Sequence, residues 1–590
     1  MDTRIFRQRK HLSSAIGTQV PRFPDPLSHS VFALASRAAS LALASSVVSI
    51  GAGLTCSSPA FATTYIVDTT GDPGPAGTLS LRQAILSASY YTGDTIQFAP
   101  ALNGSTITLQ AGQLVIPSSM TIQGPGAGKL TISGNNANPS RIFEIYTLGA
   151  SPLAVTISGL TLTGGNTGGN GGAIYAENIS LNLQNIVLSG NSAHFGGAVY
   201  GKNGNAAATA FSNTVMQGNN ASSGGAFLIF GGASTTISNS TVSGNNATTC
   251  CGGGDIENSG AATVSHSTIG ANNVSLASAS GNGGGVAFAY IGTPVQISYS
   301  TITGNVTPNG RGGGLWISNS DANIVASNIS GNTGYGGGGI YARDNRPTAQ
   351  AIISLRTTTL SGNTAQFFGG GLDVNRANTL TVGYSLISDN HATNGVNSLG
   401  GGIALRSTLA SAHIYDSTVY GNHAYGKGGG IGISTAATGN VTTLTSLTIV
   451  GNSTNAAGSV GAGVFGAGTP QLDSCIAANN YSGANLQDLN GSFTVNFSAI
   501  KTRGTATITG SNNLADGTDP NLGPLTVNGG PTLSMLPNIG SPVLATGDPG
   551  VTQTSDQRGL PRKTGGFVDI GAVERHGVED VIFRNGFEAP

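Results

Sequence analysis

Along most of the chain, apolar and polar residues alternate in short runs, and the runs return at a nearly fixed interval. A polar residue marks the interval most clearly: Asn191, Asn219, Asn245, Asn272, Asn305, Asn332, Asn363, Asn390, Asn422, Asn452 and Asn479 follow one another at spacings of 26 to 33 residues. Three residues before each stands an apolar side chain, from Leu188, Met216 and Val242 to Ile449 and Ile476. Between one Asn and the next lies a glycine triplet. The residue after the triplet forms a second column of Ile174, Val199, Phe227, Asp255, Val286, Leu315, Ile340, Leu372, Ile403 and Ile431, nine apolar and one acidic.

A fixed period of this length marks a repeat architecture, in which each unit buries its apolar face only by stacking on its neighbours. Segments such as Leu315, Trp316, Ile317 alternate inward and outward, as short half-buried strands do. Val, Ile, Thr and Ser dominate these runs, and Gly and Asn interrupt them too often for helices. Three short strands in about 27 residues, pairing with the next turn at ~4.8 Å, describe an all-β fold. It is a right-handed parallel β-helix of roughly a dozen coils, about 60 Å long. The recurring Asn, represented by Asn191, Asn219, Asn245, Asn332, Asn363 and Asn422, is read as a corner residue in the left-handed conformation whose amide bonds to like amides above and below. The glycines supply positive φ and close backbone approach at another corner.

Composition narrows the reading. Of 590 residues 92 are Gly, only 8% are charged and one is Trp, so the core is aliphatic and the walls polar but uncharged. Residues 63–590 carry 18 Lys or Arg against 23 Asp or Glu. An acidic surface without basic clusters argues against nucleic acid and anionic membranes as partners.

The two ends read differently from the body. Arg4, Arg7, Arg9, Lys10, Arg22 and Arg37 precede or enter the apolar run from Leu41 to Leu54, and Ala60, Phe61, Ala62 has the form of a cleavage site. Residues 1–62 are therefore expected to be a signal peptide, and the mature chain an exported protein, on the cell surface or outer membrane or outside the cell, with no transmembrane span. Of the cysteines left, Cys475 lies about eight coils, roughly 40 Å, from the adjacent pair Cys250 and Cys251, too far for a disulfide. Buried free thiols are the expectation, with a bond between the two neighbours as the alternative.

Residues 63–140 read as an N-terminal cap with a strand at 64–67, a helix over 79–88 that puts Leu81, Ile85 and Ala88 on one side, and the first coils. The run Leu79, Ser80, Leu81, Arg82, Gln83, Ala84, Ile85, followed by Asp94 to Phe98, resembles the CSLREA domain that opens many exported bacterial β-helix proteins; Leu79 and Gln83 depart from its Cys and Glu. The body, 141–500, is similar to the repeats of polymorphic outer membrane proteins, without the alternating strands of their membrane barrel. Residues 501–575, with Asp556 to Arg562 and Asp569 to Glu574, resemble the choice-of-anchor Q domain. There, Asp556, Arg558, Asp569 and Glu574 suit a small salt-bridged C-terminal cap. The tail, 576–590, resembles a short sorting or attachment segment of exported proteins.

Candidate chemistry is sparse. The motifs of polygalacturonases and pectate lyases are absent, although both chemistries occur on this fold. Asp255 and Glu257 fall where other coils place apolar residues; two carboxylates in an aliphatic core would be very costly. A local register slip turning Ile256 inward is the structural reading and a paired site the functional one. Arg343, Asp344 and Arg346 stand beyond Tyr341, suited to a uronate or to solvent. His194, His391 and His423 follow ladder residues, and no third ligand completes a metal site. The outward column Tyr175, Tyr200, Trp316 and Tyr341, together with Phe367, Phe368 and Tyr425 on the loop-bearing edge, offers rings for stacking on sugars.

These features point to a surface or secreted protein with a binding, adhesive or structural role, its partner a polysaccharide or a host or neighbouring cell surface. The alternative is a polysaccharide lyase or glycoside hydrolase built on Asp255, Glu257, Arg343, Asp344 or Arg346. No cofactor is implied; Ca²⁺ enters only with lyase chemistry. The two readings differ in whether those charges converge in one groove.

Overall fold

The computed structural model describes residues 62–577, apart from 90–92, 136–138, 148, 150, 276–280, 347–350, 377–378, 407–410, 435–440, 456–457 and 564. The expected leader, up to Phe61, and the tail from Asp580 lie outside the described residues. Three parallel strands make one turn. In the turn beginning at Val199 these are Val199–Asn203, Ala208–Ser212 and Val215–Gln217. Each pairs in register with its counterpart one turn on: Val199 with Phe227, Phe211 with Ile237, Met216 with Val242. Repetition of this unit gives a parallel β-helix, with a fourth, shorter ladder along the loop-bearing edge from Asn220–Ser223 onward. We call the wall that starts after the glycines the glycine wall. The strands ending just before the Asn form the third wall.

The inward columns carry the stability. Val199, Phe227, Val286, Leu315, Ile340, Leu372 and Ile403 are wholly buried, as are Leu188, Met216, Val242, Ile269 and Ile302 from the third wall. Each such side chain contributes about 1.5–3 kcal/mol relative to exposure.

The Asn ladder is continuous from Asn191 to Asn480. At each step the backbone N–H and one side-chain N–H of an Asn donate to the next Asn's Oδ1, as Asn332 does to Asn363 at 3.0 and 2.9 Å. The second side-chain N–H donates to a carbonyl of the turn below, Ile302 in this case, at 2.9 Å. These Asn residues are not the left-handed ones. The glycine before each holds the positive φ, +61° at Gly190 and +62° at Gly304. Ala271, Asp389 and Asn479 replace it at their turns. The last amide of the ladder is therefore Asn480, one residue later than the spacing suggests. Because the backbone N–H and one side-chain N–H of every member point up the axis, the last member needs an acceptor above it. Asp488 supplies it, taking N–H bonds from Asn480 at 3.0 and 2.7 Å and from Thr502 at 2.6 Å.

A second column escaped the sequence reading. Between the second and third walls the corner is turned by non-glycine residues at positive φ, such as Asn213, Asn239, His266 and Tyr299. The Ser or Thr that follows bonds upward: Thr214 N–H to Ser240 Oγ, Ser240 to Ser267, Ser267 to Ser300 and Ser300 to Ser327, at 3.1 to 3.2 Å. Varied residues in the first slot hid the period.

The helix Leu81–Ala88 begins at a capping box of Ser80 and Gln83 and buries Leu81, Ala84, Ile85 and Ala88 against the first strands. Arg82 grips Asp72 through two hydrogen bonds of 2.6 and 2.9 Å and two carbonyls at Gly112 and Gln113. At the other end, residues beyond about 522 run back along the outside of the third wall. Gln557 bonds to Thr418 and Ser385, Gly571 N–H to Ser474, and Ala572 N–H to Thr448. Arg562 reaches the carboxylate of Asp416, both fully buried. Asp556 accepts from Arg558, Leu560 and Glu574, and Asp569 from Ala545 and Arg575. These acids hold the cover together.

Candidate functional site

The outer face of the glycine wall departs from the polar, uncharged surface that composition implies. Its second strand position reads Glu144, Tyr175, Tyr200, Leu228, Asp255, Ala287, Trp316, Tyr341, Asp373 and Ala404 through successive paired strands. The fourth position brings Tyr146, Glu177, Lys202, Glu257, Arg343 and Arg406 to the same face.

Asp255 reaches this face by the register slip. It pairs with Leu228 and Ala287, while Gly254 and Ile256 point inward beside Phe227 and Phe288. The slip comes from the corner. Cys251, at φ +65°, stands where other turns have the first glycine of the triplet, such as Gly224 and Gly283 at +65° and +67°. The triplet is thus Cys251, Gly252, Gly253. Cys251 is bonded to Cys250, which corrects the expectation of two free thiols; Cys475 is a buried thiol.

The upper part of the wall is closed. Trp316 is 6% exposed, Tyr341 not at all, and both pack with the disulfide, Ala287 and Ala289. Neither ring is open to stack on a sugar as it stands. Asp373, wholly buried, receives two hydrogen bonds from Arg406 at 2.8 and 2.6 Å, and Arg406 lies over the Phe368 ring. Burial pushes the Asp373 carboxyl up, against the pull of Arg406 and Arg311. The Tyr341 hydroxyl accepts from Arg311 and Asn375, both at 3.3 Å.

Of the candidate charges, Glu257, Arg343, Asp344 and Arg346 all act electrostatically on Tyr290 or it on them. Asp344 is buried and holds Arg346 through side-chain contacts of 2.9 to 3.2 Å, with Asp321 3.8 Å away. The Tyr290 phenol is raised by burial, by Glu257 and by Asp344, while Arg343 and Asn319 pull it down. On the loop-bearing edge Phe367 lies 4.9 Å from Tyr335 and 6.1 Å from Phe368. Tyr425 is 39% exposed on the same edge.

The lower part of the wall is open. A cleft of about 640 Å³ is lined by Arg141, Glu144, Tyr146, Thr147, Gly169, Asn170, Tyr175 and Glu177. The Tyr175 ring stacks on Tyr200 at 5.6 Å and 13°, with the Arg141 guanidinium over it at 5.3 Å. The Tyr175 hydroxyl donates to Glu177 at 2.7 Å, and Lys202 bonds the other oxygen of that carboxylate at 2.8 Å. Burial would raise Glu177, but these two donors outweigh it and hold the carboxyl below its usual value. Burial, then the Glu177 charge, push the Tyr175 phenol up and keep it protonated. Arg141 reaches Glu144 at 3.2 Å and Gln113 at 2.8 Å, and Gln113 also donates to Glu144.

Of the cleft residues, the sequence reading named Tyr175 alone. Extending the outward column one turn down, to Glu144, and reading its fourth position would have found Glu177, Lys202 and Tyr146.

No family model matches the chain, and no curated protein sequence does. Among solved structures it is similar to the A-module of a mannuronan C-5 epimerase from Azotobacter vinelandii, at 12% identity over 73% of this chain and 94% of that one, with a TM-score of 0.28. It is also similar to tailspike protein 3 of bacteriophage CBA120, at 12% identity over 76% of this chain and 59% of that one, TM-score 0.31. A pectate lyase matches at 13% identity over 87% and 96%, TM-score 0.21. Likeness at this level does not bear on the chemistry of this chain.

Proposed function

We propose that this chain is an exported glycan-binding protein that takes its ligand in the cleft at the lower end of the glycine wall. The observation that carries this is the open cleft of about 640 Å³, within the size range of small-molecule sites, with Tyr146 at its rim and the Tyr175–Tyr200 stack beside it. The exposed Tyr146 ring suits the apolar face of a sugar ring, the Tyr175 ring being covered by Tyr200 and Arg141, and carboxylate, guanidinium and amide groups suit its hydroxyls. Charge favours a neutral glycan over a polyuronate: Glu144 faces Arg141, and Glu177 faces Lys202, so no net positive field awaits an anionic chain.

The test is calorimetric titration of the protein with soluble neutral oligosaccharides and oligouronates at two salt concentrations. The expected result is binding of a neutral glycan with little salt dependence, weakened at least tenfold by Tyr175→Ala. Failure to bind either class, or binding untouched by Tyr175→Ala, would remove this reading.

A catalytic reading has one specific support, the electrostatic influence of Glu257, Arg343 and Asp344 on the Tyr290 phenol. It predicts new reducing ends or unsaturated products, lost in Glu257→Gln. Binding without product formation leaves the protein a lectin-like or adhesive one.

A further inference from the structure

The corner formed by Cys250, Cys251 and Asp255 lies apart from the cleft, and three features set it off. Its first left-handed residue is a cysteine where other turns use glycine, Gly196, Gly312, Gly337 and Gly369 among them, at φ between +57° and +71°. Its outward strand position is a carboxylate, 1% exposed, between the apolar neighbours Leu228 and Ala287. The two sulfurs and a carboxylate oxygen lie within 4.8 Å of one another. A side chain at a left-handed corner is disfavoured, and such departures gather at functional positions.

We infer that this corner is a redox-gated metal site: in the reduced chain, Cys250 Sγ, Cys251 Sγ and Asp255 together hold one thiophilic divalent cation of the Zn²⁺ or Cd²⁺ class. Two thiolates and a carboxylate are a donor set such cations accept. Metal–ligand bonds of about 2.0–2.3 Å place tetrahedral ligands roughly 3.3–3.8 Å apart, so the two sulfurs, bonded to each other in the oxidised chain, separate to that spacing once reduced. In the oxidised chain the sulfurs are bonded to each other and offer no thiolate. A dithiol reductant gives two electrons and two protons to the S–S bond and leaves as its own cyclic disulfide. Each resulting thiol loses its proton to solvent as the metal binds, so two protons are released per metal.

The rest of the corner suits the role. Backbone bonds from Cys251 N–H to Asn282, Gly252 to Gly283 and Gly253 to both Gly284 and Gly285 anchor it to the next turn. Breaking the S–S bond therefore need not release the coil. Trp316, Ala287 and Ala289 pack against the sulfurs, shielding a bound ion from water and providing a fluorescent reporter beside the site.

The experiment uses full-length protein in a Cys56→Ser, Cys475→Ser background, so that Cys250 and Cys251 are the only cysteines left. Cd²⁺ is titrated into oxidised and dithiol-reduced samples while thiolate-to-metal ultraviolet absorbance and Trp316 fluorescence are followed. The expected result is one Cd²⁺ per reduced chain and none in the oxidised chain. Cys250→Ser and Cys251→Ser should each abolish the band, and Asp255→Asn should weaken binding at least tenfold while circular dichroism stays unchanged. No band in the reduced chain, equal binding by the oxidised chain, or undiminished affinity in Asp255→Asn would each overturn the assignment.

Discussion

Replacing Asn332 by Ala tests the polar spine of the solenoid at its middle. Its Oδ1 accepts the backbone N–H and a side-chain N–H of Asn305, at 3.0 and 2.9 Å, and its own amide bonds Ile302 and Asn363. All of the Asn residues involved are wholly buried, so water cannot take the vacated places. The substitution orphans two donors on Asn305, and a buried polar group left unsatisfied costs about 1–3 kcal/mol. Asn363 Oδ1 keeps the backbone N–H of residue 332, and that half of the step survives. The expected loss is about 4 kcal/mol, confined to the flanking turns because each turn of a solenoid contacts only its neighbours. Global unfolding would blur such a local change, so the assay is native-state hydrogen exchange of the amides around 305, 332 and 363. At 1.4 kcal/mol per decade the expected acceleration is about a thousandfold. Asn328→Ala, at an exposed position of the preceding strand, is the control and should change little. Acceleration of less than tenfold in Asn332→Ala, or equal acceleration in the control, would refute the view that a saturated amide ladder stabilises the stack.

Other outcomes follow from the same geometry. In Gly197→Ala the new Cβ would meet the Gly225 carbonyl oxygen at 2.1 Å and that of Asn220 at 2.6 Å; a loss of about 3 kcal/mol is expected from overpacking, read as a drop in Tm. Asp373→Asn leaves the largely buried Arg406 without its counter-charge and should cost about 3–5 kcal/mol, most of it recovered when Arg406→Met is added. Burial pushes Asp416 up to about 7 against the pull of Arg562, Asp488 to about 6 and Glu574 to about 8. The folded chain then holds protons that the unfolded chain has released, so stability falls as pH rises from about 4 to about 8. Faster proteolysis of the C-terminal cover at pH 8 than at pH 5 would show it, and a reversed order would contradict it.

The sequence by itself determined the architecture. A fixed interval of Asn, an apolar residue three places earlier and a glycine triplet after it can be satisfied together only if each repeat is one turn stacked on the next, because none buries its apolar face alone. A helix over 79–88 was legible for a similar reason, its apolar spacing being local, and the Ser80–Gln83 capping box starts it at Leu81. What the tertiary structure decided are the matters in which one residue of register, or contact between distant turns, is everything. The αL slot at each Asn corner belongs to the residue before the Asn, which put Asn480, not Asn479, in the ladder. A cysteine in a glycine slot moved Asp255 from an apparent core position to the outer face, since side chains alternate across a strand and a slip of one reverses them. The burial of Tyr341 depends on Arg311 and Asn375, and that of Trp316 on the Cys250–Cys251 corner, partners whose positions the sequence spacing does not fix. The cleft at Arg141, Glu144, Tyr175 and Glu177 exists because parallel stacking brings residues about thirty positions apart side by side, a juxtaposition that becomes visible only once the register of every turn is known.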